Sequence, residues 1–236
     1  MAEFELFYWR EQPARGEYIR LIFEVSGTPY KEPAESHEDL MGWLDKFNAS
    51  PTPCYAPPFL RHGELVLSQT AAIAAYVAEK VGLVPTSEKE KHRCNAMFLT
   101  VMDLATEAHD VHHPISVDLY YEDQKVESLR RAEQFVRVRF PKLMGFFENL
   151  IVQNPTKSGY MVGEKLSYAD LALYHAVKGL KYAFPKGCGS KMAQYPNVEA
   201  LSGKVGALPR LQEYLKRSPR FSEYGMFRHY PELDQF

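Results

Sequence analysis

The 236-residue chain has little cysteine and little net charge, and it contains no long apolar run. Its three cysteines, Cys54, Cys94 and Cys188, are odd in number and widely spread, which argues against a disulfide framework and fits a reducing compartment. No close cysteine pair has metal-ligand spacing. Lys and Arg total 28 against 30 Asp and Glu, a formal charge of -2, so no overall field draws the protein to nucleic acid or to an anionic membrane. A small anionic ligand would have to be held by local groups. No apolar stretch approaches the length that spans a bilayer. The opening residues, MAEFELFYWREQ, carry acids where a secretory signal needs a basic segment, so a cytoplasmic protein is expected. Internal repeats and low-complexity segments are also missing, and a chain of this length is expected to form one or two domains with sizeable cores.

What is present is organised around Ala56–Lys80, APPFLRHGELVLSQTAAIAAYVAEK. Two extended runs, Phe59–Arg61 and Glu64–Leu67, flank His62-Gly63 and predict a hairpin. A helix is expected to begin near Ser68. Strong helix formers follow, with Ile73, Tyr76, Val77 and Val81 at three- and four-residue spacing, so one apolar face meets a sheet. The pattern of Pro-Phe-Leu, Gly, Leu, Ser-Gln-Thr, Ala-Ile, Tyr and Ala resembles the glutathione transferase superfamily. That resemblance implies a cis-proline at Pro58 and places Gln69 and Thr70 against the γ-glutamyl end of glutathione. Taken without it, Gln69-Thr70 reads as an ordinary helix start.

Along the chain, Phe4–Trp9 alternates with Phe4, Leu6 and Tyr8 on one face, which predicts a strand entering a core. The loop Arg10–Arg15 leads into a helix with Pro13 in its first turn, Glu17 at the positive end of the macrodipole, and a buried stripe of Ile19, Ile22 and Phe23 ending near Ser26-Gly27. Tyr30–Glu32 is expected to be a second strand. Strand, helix, strand, hairpin, helix is the thioredoxin-like arrangement. A short helix, Glu38–Phe47, is expected in the polar, proline-punctuated stretch before Ala56. The composition shift over Val81–Lys91 reads as a linker. The fold class is therefore α/β plus all-α: a thioredoxin-like glutathione-binding domain over residues 1–82, a linker over 83–91, and an all-helical domain over 92–236 that supplies a hydrophobic substrate pocket. Long helices are expected over Lys91–His113 and Val126–Gln153, with Pro141 bending the second. Ser167 and Asp170, in GEKLSYADLAL, have the spacing of a capping box, and superfamily members carry a similar buried box, so Asp170 reads as a folding determinant. Pro196, Pro209 and Pro219 divide the tail into short helices.

The resemblance also implies chemistry. A glutathione transferase must present a thiol as thiolate, and a free thiol with a pKa of about 8.5 is only slightly ionised at neutral pH. Lowering that value by about two units takes roughly 2.7 kcal/mol of preferential thiolate stabilisation. Tyr8, in Leu-Phe-Tyr-Trp, is similar in position to the catalytic tyrosine of the alpha, mu, pi and sigma classes. No serine or cysteine occurs between Trp9 and Gly16 to serve the other catalytic types. Counting back from Arg20, Arg15 falls where the alpha class places an arginine near the sulfur. The plain readings are a core aromatic for Tyr8 and a solvated helix-start cation for Arg15. Trp43 and Lys46 resemble the pair that mu and pi enzymes aim at the glycyl carboxylate. Asp103 falls where many classes send an acid across a dimer interface, or else it is a solvated helix acid. Pro57 stands where most members exchange both backbone hydrogen bonds with the cysteinyl unit of glutathione, and proline has no N–H.

The second-substrate pocket is expected to be walled by Trp9 to Gln12, by the helix around His109 and His113, and by the C-terminal segment. His109, His112 and His113 invite a metal reading, because residues four apart share a helix face. No ligand set beyond Asp110 completes it, and Pro114 ends the helix there, so histidines facing the helix dipole are expected and no metal. The implied activity is attack of glutathione thiolate, from glutathione as co-substrate, on a hydrophobic electrophile by a homodimer with no nucleic-acid or membrane partner. The alternatives are a non-enzymatic carrier or structural protein on the same fold, and a glutathione-dependent isomerase or peroxidase. Tyr55 reads either as an aromatic key between subunits or as cover for its own domain.

Overall fold

The computed structural model describes residues 3–218, 221–222 and 225–236. Two compact units are present: Met1–Val84 with Ala207–Arg220, and Pro85–Gly206 with Phe221–Phe236. Pro219, expected to divide the tail, lies outside the described residues.

The first unit is a four-stranded sheet in the order β2-β1-β3-β4. Strand β1 (Phe4–Phe7) runs parallel to β2 (Tyr30–Lys31) and antiparallel to β3 (Phe59–His62), with Phe7 opposite Phe59. The hairpin falls where Gly63 adopts φ 63°, and β4 (Leu65–Ser68) returns along β3. Helix α1 (Glu17–Ser26) packs on α3 (Thr70–Val81), burying Ile19, Ile22, Phe23, Ile73 and Val77 completely. The alternation in β1 anticipated one buried face, yet Leu6 and Phe7 are both fully buried. The reason is α2 (His37–Asn48), which lays Leu40, Trp43 and Phe47 over Phe7 and Phe59. The Phe7 and Phe59 rings stack at 4.8 Å.

Two expectations for this unit are corrected. Helix α1 starts at Glu17 rather than around Pro13, because the carbonyls of Trp9 and Gln12 are turned toward the buried Arg20 guanidinium. Residues 207–218, expected in the helical domain, group with the sheet. Helix α9 (Pro209–Leu215) carries Tyr214, whose hydroxyl donates to Glu17 at 3.0 Å, and Arg217 just beyond it pairs with Glu24 at 2.7 Å.

In the second unit the chain forms α4 (Glu88–His109), α5 (Lys125–Gln134), α6 (Phe140–Gln153), α7 (Tyr168–Ala183) and α8 (Pro196–Gly206). The linker is shorter than expected, since Ser87 caps α4 by accepting from the Glu90 N–H at 3.2 Å. Where a bend is expected at Pro141, the preceding residues Phe135–Arg139 form a π-helical turn that joins α5 to α6. Proline offers no N–H to the ladder, and the Phe140 N–H reaches back to the Phe135 carbonyl. Helix α4 stops at His109, four residues short of the expected His113. Among the described residues, no helix is long and apolar enough to cross a membrane.

Helix α7 is buried on nearly every side and packs against α4 and α8. Its start is the anticipated capping box: fully buried Asp170 accepts from the Ser167 N–H at 2.8 Å, the Ser167 hydroxyl at 2.7 Å and the Met161 N–H at 2.9 Å. Burial pushes the Asp170 carboxyl up to about 6 against these donors. Asp170→Ala, which strands all of them in the core, is expected to cost about 3 kcal/mol or more. Urea unfolding followed by circular dichroism measures this, and a loss under about 1 kcal/mol would refute the role assigned to the box.

Candidate functional site

The candidate site grows from the start of α3. Gln69, at the N-cap position, holds φ 73°, a costly conformation for a residue with a Cβ and one that clusters at ligand sites. No side chain caps this helix and no acid lies in its first turn, so its positive end faces outward without a built-in anion. The Thr70 hydroxyl is buried with no hydrogen-bond partner. Across from it the Pro57-Pro58 peptide is cis, as the resemblance implies. Arg15, Tyr55, Ala56, Pro57, Pro58, Gln69 and Thr70 together line a cavity of about 260 Å³. A cavity lined by an arginine and by an uncapped helix start suits a carboxylate. Tyr55, 88% exposed, and Ala56 are members of this lining that sequence reasoning did not assign to it.

Behind the cavity the β1–α1 loop is held from within. Arg20 is 1% exposed and donates to the Trp9 carbonyl at 2.8 Å, to the Gln12 carbonyl at 3.0 Å, and to the carboxylates of Glu32 and Glu17 at 2.8 and 3.1 Å. Burial works against its charge, but Glu17 and Glu32 more than offset that and hold the guanidinium firmly protonated. The loop path so fixed brings the Arg15 N–H to the Tyr8 hydroxyl oxygen at 3.2 Å. Burial raises the Tyr8 phenol, so it is a protonated donor at neutral pH.

The other anticipated residues are more dispersed. Trp43 is half-buried on α2 against Phe7, and the exposed Lys46 places its ammonium 4.5 Å from the Trp43 ring centre; neither lines the cavity. Trp9 donates from its indole N–H to His37 at 3.0 Å, and Gln12 is held through its carbonyl. Asp103 is exposed on α4 in the second unit, which also holds His109 and His113. Because α4 ends at His109, the three histidines do not share a helix face; the turn after the helix gathers them instead, with ring centres 4.8 to 5.0 Å apart. Burial lowers both His112 and His113, keeping these rings neutral at neutral pH. All three cysteines are free and buried, and burial raises Cys54.

A family model described as "Glutathione S-transferase, C-terminal domain" matches residues 109–218. The chain is similar to probable glutathione S-transferase 6 of Caenorhabditis elegans, at 28% identity over 94% of this chain and 99% of the relative. It is similar also to the glutathione S-transferase of Plasmodium falciparum, at 25% identity over 89% of this chain and 94% of that one. Among solved structures, the Necator americanus glutathione S-transferase described as monomeric Na-GST-3 superposes with a TM-score of 0.71 at 24% identity, covering 93% of this chain and 99% of its own.

The loop leaves no room beside the Tyr8 ring. A Cβ on Gly16 would sit 2.4 Å from a Tyr8 ring carbon, and the Tyr8 side chain is buried. Gly16→Ala is expected to push the ring aside at a cost of about 1–3 kcal/mol. Near-UV circular dichroism and urea unfolding check this; an unaltered aromatic spectrum with unaltered stability would overturn the close-packing argument.

Proposed function

The chain belongs to the glutathione transferase superfamily, and on that premise we propose that it binds glutathione in the cavity between Arg15, Pro58 and Thr70 and transfers the thiolate to a hydrophobic electrophile, a detoxification reaction. The observation that carries this reading is the convergence of Arg15, Pro57, Pro58, Gln69 and Thr70 on one cavity, with the Tyr8 hydroxyl bonded to the backbone of one of them.

In this reading Gln69, Thr70 and the first-turn N–H groups of α3 take the γ-glutamyl carboxylate, supported by the missing cap and the unpartnered Thr70 hydroxyl. Tyr8 serves as the donor to sulfur. Its oxygen already accepts from the Arg15 N–H, so its own proton is left to give, and burial keeps that proton in place. The Arg15 guanidinium adds a positive charge that favours thiolate over thiol. Trp43 and Lys46 are assigned to the glycyl carboxylate, and Asp103 to the γ-glutamyl ammonium of a second subunit in a cytoplasmic homodimer. Trp9 and Gln12 are assigned to the wall of the second-substrate pocket. Holding thiolate and electrophile side by side adds the gain of proximity.

Tyr8→Phe removes the donor without altering the ring. The bound thiol should then titrate about one to two units higher, and conjugation to an aryl halide should slow by roughly ten- to a hundredfold in kcat/KM. Thiolate absorbance against pH and initial rates measure the two effects, and neither moving would remove Tyr8 from the mechanism.

Pro57 lines the cavity but offers only its carbonyl to the cysteinyl backbone. Pro57→Val restores an N–H, and calorimetric titration should find glutathione bound about two- to tenfold more tightly. Unchanged or weaker binding in a variant that keeps its fold would show that no donor is missing there.

A further inference from the structure

We propose that His109, His112 and His113 form a site for a divalent first-row transition ion, with Zn2+ the best match to three imidazoles. The ligand nitrogens of the three side chains all lie within 4.8 Å of one another. Neighbouring ligands on a tetrahedral Zn2+ are about 3.4 Å apart, so the rings need to close by little more than about an ångström, within reach of side-chain rotation. His112 is 1% exposed, and its Nε2 is buried without a hydrogen-bond partner, an arrangement that a metal ion would satisfy.

The surroundings of His113 point the same way. Its Nδ1 lies 3.1 Å from the Leu119 carbonyl and 3.3 Å from the Gln124 side-chain nitrogen. That Gln124 nitrogen already donates its two protons to the Ser116 and Leu119 carbonyls, each at 3.0 Å. His113 Nδ1 is therefore left to donate to Leu119, which places the lone pair on Nε2. A carbonyl that fixes the ring and tautomer of a histidine is the usual outer support of a metal ligand. The fourth position falls to water; Asp110, whose carboxylate is 3.8 Å from His109 Nδ1, lies next to that imidazole rather than within the cluster. An all-imidazole set selects Zn2+, Ni2+ or Cu2+ over Mg2+ and Ca2+, which require oxygen cages. Arg228 bears electrostatically on His112 and His113, and Arg131 lies 4.0 Å from Asp110, so opposing charge tempers the affinity.

Tag-free protein, stripped with chelator, should bind one Co2+ per chain with visible d–d absorption of tetrahedral intensity, and Zn2+ should displace it with a Kd on the order of micromolar. His109→Gln and His113→Gln, each checked for folding by circular dichroism, should weaken Zn2+ binding by roughly tenfold or more and abolish the Zn2+-dependent rise in melting temperature seen for the parent. If only one variant folds, its affinity decides the matter. Absence of Co2+ absorption, a Zn2+ affinity weaker than about millimolar, or binding unaffected by both substitutions would overturn the proposal. None of these readouts involves glutathione, so this site and the proposed transferase activity stand or fall separately.

Discussion

The buried guanidinium of Arg20 is the contact on which the first unit, with its candidate site, depends. Taking such a charge out of water costs several kcal/mol, and the cost is offset only when every donor is matched. Here the matching groups are two carboxylates and two main-chain carbonyls, those of Trp9 and Gln12. Because those carbonyls are fixed, the loop from β1 to α1 has one available path, and that path carries Arg15 to the cavity and its N–H to Tyr8. Glu17, which pairs with Arg20, also accepts from Tyr214, so α9 is tied into the same network although it lies nearly two hundred residues further along. A charge placed at the centre of the first unit thus does what a disulfide cannot do in a chain of free cysteines.

How much of this was legible in the sequence follows from how local each cause is. The hairpin at His62-Gly63, the αL cap at Gly27 and the Ser167–Asp170 box each depend on residues within a few positions, and each was readable. The proline at position 58 was readable too, through the family pattern around it. The Arg20 network was not, since apart from Glu17 on the same helix its members come from the loop after β1, the residue after β2 and α9, and those separations leave no periodic trace. Burial of Phe7 on the far face was missed for a related reason: alternation reports which residues share a face, not whether a second layer covers it. The histidines show the opposite failure. Helical spacing predicted a shared face for His109 and His113, the helix ended too early for that, and the turn that follows brought the rings together by another route.

With a net charge of only -2, the proposed recognition of a tripeptide with a carboxylate at each end would fall to a few local groups, and the cavity holds several candidates. An uncapped helix start and a buried hydroxyl without a partner both favour an anion, and Arg15 lines the same cavity. The strained backbone at Gln69 belongs to the same logic. A conformation that costs about 1–3 kcal/mol occurs where the chain turns from β4 directly into α3, at a residue that lines the same cavity as the cis Pro57-Pro58 peptide.

Pro57 separates binding from activation within that site. A hydrogen bond to the cysteinyl backbone of glutathione is made equally in the ground state and in the transition state, because that backbone does not react. Its loss is a loss of uniform binding, which raises KM and leaves kcat alone. The Tyr8 hydroxyl, by contrast, is the group proposed to meet the atom whose charge changes, and it is held by the Arg15 N–H on the Arg20-held loop. In the proposed reaction the chain can therefore give up a donor along the middle of the tripeptide while the thiolate-stabilising group, anchored from the other side of the cavity, keeps its geometry.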